Sequence, residues 1–411
     1  MVSAANPLAV EAGLAMLMRG GTAADAAIAV QLVLNLVEPQ SSGIGGGAFI
    51  LHFDKETGRV SSIDGRETAP ARATPDRFMI DGTPMPFRDA VPTGLSVGVP
   101  GLVRALSRMH TQHGRLPWRA LFEPAITLAT DGFKLSPRLF GLLSWMGADR
   151  FAPEAQAYFF EADGAPKAIG TRLTNLAYAR TLRLIATEGP RAFYEGRLAR
   201  AMVDRIAQAP GRAGDMSVAD LKAYRAVERP PVCSAYRGYR VCGMGPPSSG
   251  ALAVAQTLAL VEPLLDAGTR ADTLRPSWVH VIAEAQKLAF ADRGRYIADP
   301  DAVAVPASLL DPAYIATRRA LIDRRRTATD VQPGLPPGVK TRSFGVDGSI
   351  ESAGTSHISV VDRDGNAVSM TSSIESAFGA RMMVGGFLLN NQLTDFSFRP
   401  TDNAGVAIAN R

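Results

Sequence analysis

A threonine that could act as a self-sufficient nucleophile lies at position 355, directly after Gly354. The alternation of residues 355–361 predicts a strand that begins at Thr355. Cleavage before Thr355 would free an α-amine with an unperturbed pKa of about 8, which could take the proton from the threonine's own hydroxyl. Gly354 has no Cβ, so its carbonyl is open to attack. Because Gly-Thr before a strand is common, the pattern alone does not separate this chemistry from an ordinary strand start.

The histidines and the acidic turn residues do not indicate a metal site. His357 shares a strand face with Thr355 and could be a base, but a hydrogen-bonded structural role is expected. No two histidines have the i, i+4 spacing of a zinc protease. Asp362-x-Asp364-Gly365 begins like a calcium loop but lacks the downstream Glu, and a hairpin turn explains it. We expect neither a metal nor an organic cofactor.

A glycine-rich stretch at residues 43–48 satisfies the letters G-x-G-x-x-A of the dinucleotide-binding fingerprint. That fingerprint needs a strand before it and a helix after it, so that the pyrophosphate meets a helix N-terminus. Here the pattern predicts the reverse, with a helix before the stretch and a buried strand after it. The stretch is therefore interpreted as a glycine turn that allows close approach of backbone segments.

The chain has only two cysteines, Cys233 and Cys242, so thiols supply neither a disulfide framework nor a zinc site. A two-residue turn at Arg237-Gly238 would place the two cysteines opposite each other in a hairpin, where side chains approach closely. A single bridge is thus geometrically open, but Arg-Gly is a weak turn signal and strained cross-strand bridges are uncommon. We expect two free buried thiols.

Short motifs follow one another along the whole chain, at residues 6–9, 20–27, 38–47, 64–70, 236–239, 246–250, 291–293, 299–300, 354–357 and 389–396. In this order they resemble the γ-glutamyltranspeptidase family. The resemblance implies an α+β fold of the N-terminal nucleophile type, a four-layer αββα sandwich, and self-cleavage of a precursor. Residues 1–354 would be the large-subunit portion and residues 355–411 the start of the small subunit, with both parts intertwined in one domain.

The resemblance also implies roles for single residues. Arg66 matches the arginine that clamps the substrate α-carboxylate, and a guanidinium suits a planar anion. Gln392 and Asp395 match residues that hold the α-amino group. Ser373 falls where the family usually has a Thr whose hydroxyl supports the nucleophile. Glu375 falls where an Asn is usual, so a second carboxylate would make the pocket more acidic and favour an ammonium-bearing acyl group or a changed substrate preference.

Together with Thr355, these matches predict an autoprocessing γ-glutamyl transferase or hydrolase. It would act on γ-glutamyl amides such as glutathione through a threonine acyl-enzyme, with water or an amine as acceptor. The resemblance places the oxyanion-hole serines and a Gly-Gly segment after Arg411, so the rest of the small subunit is an expected partner. Two alternatives stay open: a related acylase or amidohydrolase of glutaryl-cephalosporin or oxamate type, and an uncleaved homologue that only binds amino-acid derivatives.

Composition and charge exclude other classes of protein. With 46% apolar and 20% charged residues among 411, the chain is neither disordered nor collagen-like. The net charge of +5 is spread out, and its densest cluster, at residues 318–326, is interpreted as the solvated face of a helix, so nucleic acid is not an expected partner. Polar residues interrupt the most apolar stretch, residues 23–37, so no membrane span is expected. Met1 opens no signal peptide, which predicts either a cytoplasmic location or a removed export segment.

The elements that must position these residues follow from caps and periodicity. Asn6-Pro7 and a Thr22-x-x-Asp25 capping box begin two helices, and the chain is mostly helical between residues 100 and 296. Residues 330–354, rich in Pro and Gly, are expected to form an exposed, mobile connection. The predicted strand regions are residues 48–53, 60–64, 231–244, 355–361, 366–371 and 382–389.

Overall fold

The computed structural model describes residues 1–265, 275–340, 344–348 and 354–411. The chain forms two compact units. The first unit comprises Met1–Glu228 and Glu351–Asp395, and the second comprises Arg229–Ile350 and Phe396–Arg411. Every candidate site residue from the sequence lies in the first unit.

Several helices of the first unit begin where the sequence supplies caps. The side chain of Asn6 accepts a hydrogen bond from the Leu8 amide at 3.1 Å. Thr22 and Asp25 form both halves of a capping box, as predicted. The helices described here are α1 (Pro7–Met18), α2 (Ala23–Val37), α3 (Phe87–Ala90), α4 (Leu102–His113), α5 (Glu123–Asp131), α6 (Pro137–Met146), α7 (Pro153–Phe159), α8 (Leu176–Glu188), α9 (Arg191–Tyr194), α10 (Gly196–Ala207) and α11 (Val218–Ala223).

The strands predicted from alternation are present. In chain order they are β1 (Val2–Ser3), β2 (Gly47–Phe53), β3 (Val60–Gly65), β4 (Met79–Ile80), β5 (Thr83–Pro84), β6 (Phe133–Lys134), β7 (Arg172–Leu173), β8 (Val227–Arg229), β9 (Val232–Tyr236), β10 (Tyr239–Gly243), β11 (Thr355–Val361), β12 (Ala367–Ser373), β13 (Met383–Val384) and β14 (Phe387–Leu388). Within the described residues, one sheet has six strands in the order β1-β11-β12-β2-β3-β8, and the other sheets are two-stranded. The pairs from β1 to β3 in this order are antiparallel.

The core of the first unit is built around α2, all of whose residues are buried. This helix packs against α1, α4 and α5 and against β11 and β12 of the sheet. Its two buried amides are used: Gln31 donates to the Ser42 hydroxyl at 3.2 Å, and the Asn35 side-chain oxygen accepts from the Ile44 amide at 2.7 Å. The core helix therefore fixes the glycine-rich stretch that leads into β2.

The second unit corrects the expectation for the cysteines. The hairpin β9–β10 has the predicted register, with Tyr236 opposite Tyr239 and Cys233 opposite Cys242. The two cysteines form a disulfide, so the prediction of free thiols is wrong. Arg237 adopts a positive φ of 47°, which lets the weak Arg-Gly signal make the two-residue turn that brings the thiols together.

The arginine cluster also differs from the prediction. The second unit contains α12 (Gly250–Val261), α13 (Pro276–Tyr296) and α14 (Pro312–Arg319). Residues 324–326 are exposed, but they do not belong to α14, because that helix ends at Arg319. Arg318 is buried and forms an ion pair with Asp292 of α13 at 3.1 Å. A solvated helix face is therefore the wrong interpretation of this cluster.

The connection toward Thr355 is only partly exposed. Gln332 is exposed, whereas Pro336 is buried and the Gly334 amide donates to Asp292 at 2.8 Å. Residues 341–343 and 349–353 of the predicted connection lie outside the described residues. Across the described ranges, no helix is long and apolar enough to cross a bilayer.

Candidate active site

Thr355 is the first residue of β11 and lies beside the ends of two other strands. It is paired with Ser373, the last residue of β12, and Ser373 is in turn paired with Gly47 at the start of β2. The Thr355 side chain is exposed. Antiparallel pairing thus places a hydroxyl pair at one edge of the sheet, next to the glycine-rich stretch.

The Ser373 hydroxyl connects the threonine to the peptide bond before it. It donates to the Gly354 carbonyl oxygen at 2.9 Å and accepts from the Glu375 amide at 2.9 Å. The Thr355 hydroxyl points at the same oxygen of Ser373 from 3.5 Å, a weak contact. A hydrogen bond on the Gly354 carbonyl withdraws electron density from its carbon, so this peptide bond is polarised toward attack.

Glycines allow the backbone segments around this edge to approach closely. A Cβ at Gly46 would lie 2.1 Å from the Ser373 carbonyl oxygen, and a Cβ at Gly354 would lie 2.3 Å from that of Glu375. The glycine-rich stretch precedes a strand and packs its backbone against neighbouring strands, which supports the interpretation as a glycine turn.

Two consecutive asparagines hold the segment that carries Gln392 and Asp395. The Asn390 amide group donates to the carbonyls of Gly45 (2.7 Å) and Gly98 (2.8 Å), and its oxygen accepts from the amides of Gly98 and Gln392 at 2.9 Å each. The Asn390 side chain thereby uses all its bonding positions inside the protein. The turn at Gln392–Asp395 is therefore fixed to the glycine-rich stretch.

Arg66, Gln392 and Asp395 converge as predicted. The Arg66 guanidinium, which follows β3, forms an ion pair and hydrogen bond with Asp395, and it lies over the Phe49 ring with its carbon 5.7 Å from the ring centre. The Gln392 side chain donates to the same Asp395 oxygen at 2.6 Å. Arg66 and Asp395 remain about one third exposed, at 33% and 36% of their side chains. The pair is therefore accessible to a ligand.

Glu375 is a buried carboxylate held in an unusual backbone conformation, with a φ of 73°. Asn391 and Ser376 donate to its Oε2 atom. Burial raises the pKa of Glu375 to about 6, and the nearby Asp395 charge adds to this rise while the Ser376 hydrogen bond opposes it. The Glu375 carboxyl is thus ionised at neutral pH and becomes neutral in mild acid.

These residues surround one cavity of about 240 Å³. All six predicted site side chains line it: Arg66, Thr355, Ser373, Glu375, Gln392 and Asp395. Sequence reasoning missed Glu67, Phe49 and Thr371, which also line the cavity. The adjacency of Glu67 to Arg66 was the available signal, but the resemblance assigned no role to Glu67.

His357 is not among the residues that line the cavity. Its Nδ1 atom lies 2.8 Å from the Thr371 hydroxyl, and its Nε2 atom lies 3.3 Å from the Ser369 hydroxyl. Both ring nitrogens are used in cross-strand bonds to β12, which supports the structural role expected for this histidine. Among the residues described, no group of three or more His, Cys, Asp or Glu side chains is arranged to hold a metal ion.

The site and the fold together define the class of protein. A strand-initial threonine beside a cavity lined by Arg66 and Asp395, in an α+β fold, is typical of an N-terminal nucleophile hydrolase. The family profile described as "Gamma-glutamyltranspeptidase" matches residues 9–411. The chain belongs to the γ-glutamyltranspeptidase family, which confirms the resemblance seen in its motifs.

Similarity to individual proteins agrees with this family assignment. The chain is 36% identical to a glutathione hydrolase proenzyme of Escherichia coli over 412 residues, covering 97% of this chain and 67% of that protein. It is 37% identical to the acylase ACY 1 proenzyme of Pseudomonas sp. (strain V22) over 420 residues, covering 100% of this chain and 72% of the relative. The chain thus spans about two thirds of the length of these relatives.

Solved structures confirm the predicted fold class. The Helicobacter pylori γ-glutamyltranspeptidase aligns with a TM-score of 0.77 and 31% identity, covering 82% of this chain and 96% of that one. A cephalosporin acylase from Bacillus halodurans aligns with a TM-score of 0.81 and 29% identity, covering 99% of this chain and 72% of that one. Both similarities extend over most of this chain.

Proposed function

We propose that the chain is a precursor that cleaves itself before Thr355 and then transfers γ-glutamyl groups to water or an amine. The observation that carries this proposal is the Ser373 hydroxyl, which bonds the Gly354 carbonyl oxygen while it contacts the Thr355 hydroxyl. This one contact joins a nucleophile, the bond to be cut and the cavity that would hold a substrate.

Self-cleavage in this arrangement begins with attack of the Thr355 hydroxyl on the Gly354 carbonyl carbon. The C–N bond before Thr355 breaks, its nitrogen takes the hydroxyl proton, and an ester joins Gly354 to the Thr355 oxygen. Water then hydrolyses this ester, leaving a carboxylate on Gly354 and a free amine and hydroxyl on Thr355. The Ser373 hydrogen bond stabilises the oxyanion that forms on the Gly354 oxygen during attack.

After cleavage, the α-amine of Thr355 can accept the proton of its own hydroxyl when that hydroxyl attacks a γ-glutamyl amide. The amine of the substrate leaves with that proton, and an acyl ester remains on Thr355. Water or a second amine then takes the acyl group and restores the hydroxyl. In this proposal residues 1–354 and 355–411 become parts of a large and a small subunit, and the rest of the small subunit completes the enzyme.

The Arg66–Asp395–Gln392 cluster supports a γ-glutamyl group as the donor. Its α-carboxylate suits the Arg66 guanidinium, and its α-ammonium suits the Asp395 carboxylate and the Gln392 side-chain oxygen. At the cavity wall Arg66 and Asp395 form an ion pair with each other. A zwitterionic amino acid would replace this pair by two ion pairs of the same kind, with little loss of charge compensation.

Glu375 bears on a second candidate, an acylase for related acyl groups. It brings a second carboxylate into the cavity where the family pattern has Asn, and relatives include an acylase proenzyme. The ionised Glu375 repels an acyl group that has a carboxylate but no ammonium, such as glutaryl, and so favours the γ-glutamyl donor. The structure therefore supports the transferase or hydrolase more than a glutaryl acylase.

Hydrolysis of γ-glutamyl and glutaryl 4-nitroanilides by the cleaved protein separates these candidates. We expect the γ-glutamyl compound to react at least about 100-fold faster in kcat/KM, since one unmatched charge in the cavity costs about 3 kcal/mol. Glu375→Asn should narrow this preference, and Glu161→Gln, a surface change, is the control. Faster reaction of the glutaryl compound would favour the acylase, and binding of glutamate without any turnover would favour a non-catalytic homologue.

A further inference from the structure

A third acidic residue, Glu67, lines the same cavity as Glu375 and Asp395. It directly follows Arg66 after the end of β3, and its side chain lines the cavity beside Thr355. Glu67 is only 9% exposed, yet its buried Oε1 atom has no hydrogen-bond partner among the described residues. A buried polar atom without a partner is costly, and Glu67 Oε1 is one of two such atoms on the described residues that line this cavity.

The position of Glu67 is imposed by close packing. A Cβ at Gly47 would lie 2.3 Å from the Glu67 Oε2 atom, and a Cβ at Gly98 would lie 2.8 Å from the Glu67 Cβ atom. Two glycines therefore make room for this side chain, one at the start of β2 and one before α4. The Glu67 side chain therefore packs against these two backbone segments at the cavity wall.

The charges around Glu67 do not compensate an ionised carboxylate. The Arg66 guanidinium pairs with Asp395, and no ion-pair partner lies within 4 Å of Glu67 among the described residues. The other titratable groups that face Glu67 are Asp64, on β3, and Tyr194, at the end of α9. An unpaired buried carboxylate is strongly disfavoured, so the neutral acid is the stable form. Burial raises the pKa of Glu67 to about 8, and Arg66 only partly opposes this rise.

A second orphaned atom in the cavity indicates which ligand groups are expected. The Gln392 Oε1 atom is buried and has no partner among the described residues. It can only accept a hydrogen bond, whereas a neutral Glu67 carboxyl can donate one. A ligand with a carboxylate next to an ammonium satisfies both atoms.

We propose that Glu67 is a further substrate-binding and specificity-determining residue, whose neutral carboxyl donates a hydrogen bond from Oε1 to the ligand carboxylate held by Arg66. When Glu67 loses its proton, it loses the donor and repels the same carboxylate. Carboxylate-bearing ligands therefore bind more weakly in mild alkali. This inference rests on the proposed function for the ligand class but not for turnover.

Calorimetry with L-glutamate at pH 7 and pH 9 tests the proposal on the full chain. A single carboxyl with a pKa of about 8 predicts an affinity about tenfold weaker at pH 9. Glu67→Gln keeps the shape and a donor but cannot ionise, so it should bind well and lose most of this pH dependence. The ligand's own ammonium and, in the cleaved protein, the Thr355 α-amine also lose protons between pH 7 and pH 9, but they do so in both proteins, so the difference between the two proteins is the readout.

Two controls make the outcome decisive. Glu56→Gln changes an exposed glutamate of the β2–β3 turn and should behave like the parent protein. The probe 4-aminobutyrate lacks the carboxylate that Arg66 would hold, so its affinity should not depend on Glu67. The wild-type comparison of the two probes needs no variant and stands if Glu67→Gln fails to fold.

The results distinguish this inference from the proposed function. If L-glutamate does not bind, or if the parent protein and Glu67→Gln share the same pH dependence, the role of Glu67 is wrong, whatever the turnover. If the predicted pH pattern appears but no γ-glutamyl anilide is hydrolysed, the binding role stands and the proposed enzyme activity fails.

Discussion

Two of the arginine–aspartate pairs among the described residues have contrasting surroundings. Arg318 and Asp292 of the second unit are 5% and 1% exposed, whereas Arg66 and Asp395 of the first unit have side chains about one third exposed. Both pairs join the same two charged groups, a guanidinium and a carboxylate. Comparing them shows what separates a structural ion pair from a binding site.

The buried pair is saturated on its acidic side. Asp292 accepts hydrogen bonds from Tyr314 (2.7 Å), the Gly334 amide (2.8 Å) and Gln256 (3.2 Å), and it forms an ion pair with Arg318. Both carboxylate oxygens of Asp292 already accept hydrogen bonds from the protein, so this carboxylate has no acceptor position left for a ligand. The network instead joins three helices of the second unit to the segment around Gly334, which is a structural task.

The pair in the first unit is open. Arg66 and Asp395 line a cavity, and two buried oxygens beside them, on Glu67 and Gln392, have no partner within the described ranges. Unused bonding capacity next to exchangeable charges is what a polar ligand requires. Burial and saturation, more than the identity of the charges, therefore separate the two roles.

Breaking the open pair should have the largest effect on activity. Arg66→Gln removes the guanidinium, and the loss of a doubly hydrogen-bonded carboxylate costs about 4 kcal/mol, or about 10³-fold in kcat/KM for a γ-glutamyl anilide. Arg66→Lys keeps the charge but not the planar fork and should fall in between. Urea unfolding should change by less than about 1 kcal/mol, because the pair is partly exposed. Equal losses of stability and activity would contradict the assignment.

Breaking the saturated pair should act on stability instead. Asp292→Asn leaves Arg318 buried without its counter-charge, which predicts a loss of about 3 kcal/mol in the free energy of unfolding. At temperatures where the variant is folded, its KM for a γ-glutamyl anilide should equal that of the parent protein. Asp330→Asn, at an exposed aspartate of the same unit, is the matched control. A raised KM with an unchanged free energy of unfolding would instead assign the Arg318–Asp292 pair to substrate binding.

Ser373 tests the chemistry proposed for the open site, because its hydroxyl donates to the carbonyl oxygen of the peptide bond to be cut. Ser373→Ala removes the donor to the Gly354 oxygen, and loss of one such donor typically slows the step about 100-fold. Ser373→Thr restores a hydroxyl and should cleave at nearly the parent rate. The time course of fragment formation on gels measures both. Unchanged cleavage by Ser373→Ala would remove this serine from the proposed chemistry.

A stacked histidine pair in the first unit, with His52 buried and His113 half-buried, gives the smallest predicted effect, a change in the free energy of unfolding with pH. The rings of His52 and His113 stack with centroids 3.6 Å apart. Burial, with the like charge of His113 adding, lowers the pKa of His52 from 6.5 to about 4, although Asp54 and Asp362 oppose this. Burial also lowers the pKa of His113, against the charges of Asp54 and Glu228.

Between pH 6.5 and 4 the unfolded chain binds protons that folded His52 does not, so stability is retained above this window and lost as the pH falls through it. Partial solvent screening reduces the effect to about 2 kcal/mol. Urea unfolding at pH 7 and pH 4.5 measures it, and His52→Phe should show a smaller loss. An equal loss in His52→Phe would assign the acid sensitivity to other groups.

Local features of the fold could be predicted from the sequence where short-range chemistry decides them. The caps at Asn6 and Thr22, the strand alternation and the register of the Cys233–Cys242 hairpin are of this kind. The disulfide itself depended on the positive φ of Arg237, which a weak turn signal does not reveal. Burial of Arg318 depended on Asp292, a partner distant in sequence that periodicity cannot supply.

The same limit applies to the site. Motif resemblance placed Arg66, Ser373, Glu375, Gln392 and Asp395, and the structure brings them together around one cavity. Their functional roles stay predictions until they are tested. Glu67 was missed because its importance comes from an unfilled bonding position, which exists only once the backbone around Gly47 and Gly98 is folded.

The most direct test of the account is intact-mass measurement with N-terminal sequencing of the purified protein. The account predicts two fragments, with the second beginning Thr-Ser-His, and a single uncut chain for Thr355→Ala. An uncut parent protein that still hydrolyses γ-glutamyl amides would contradict it.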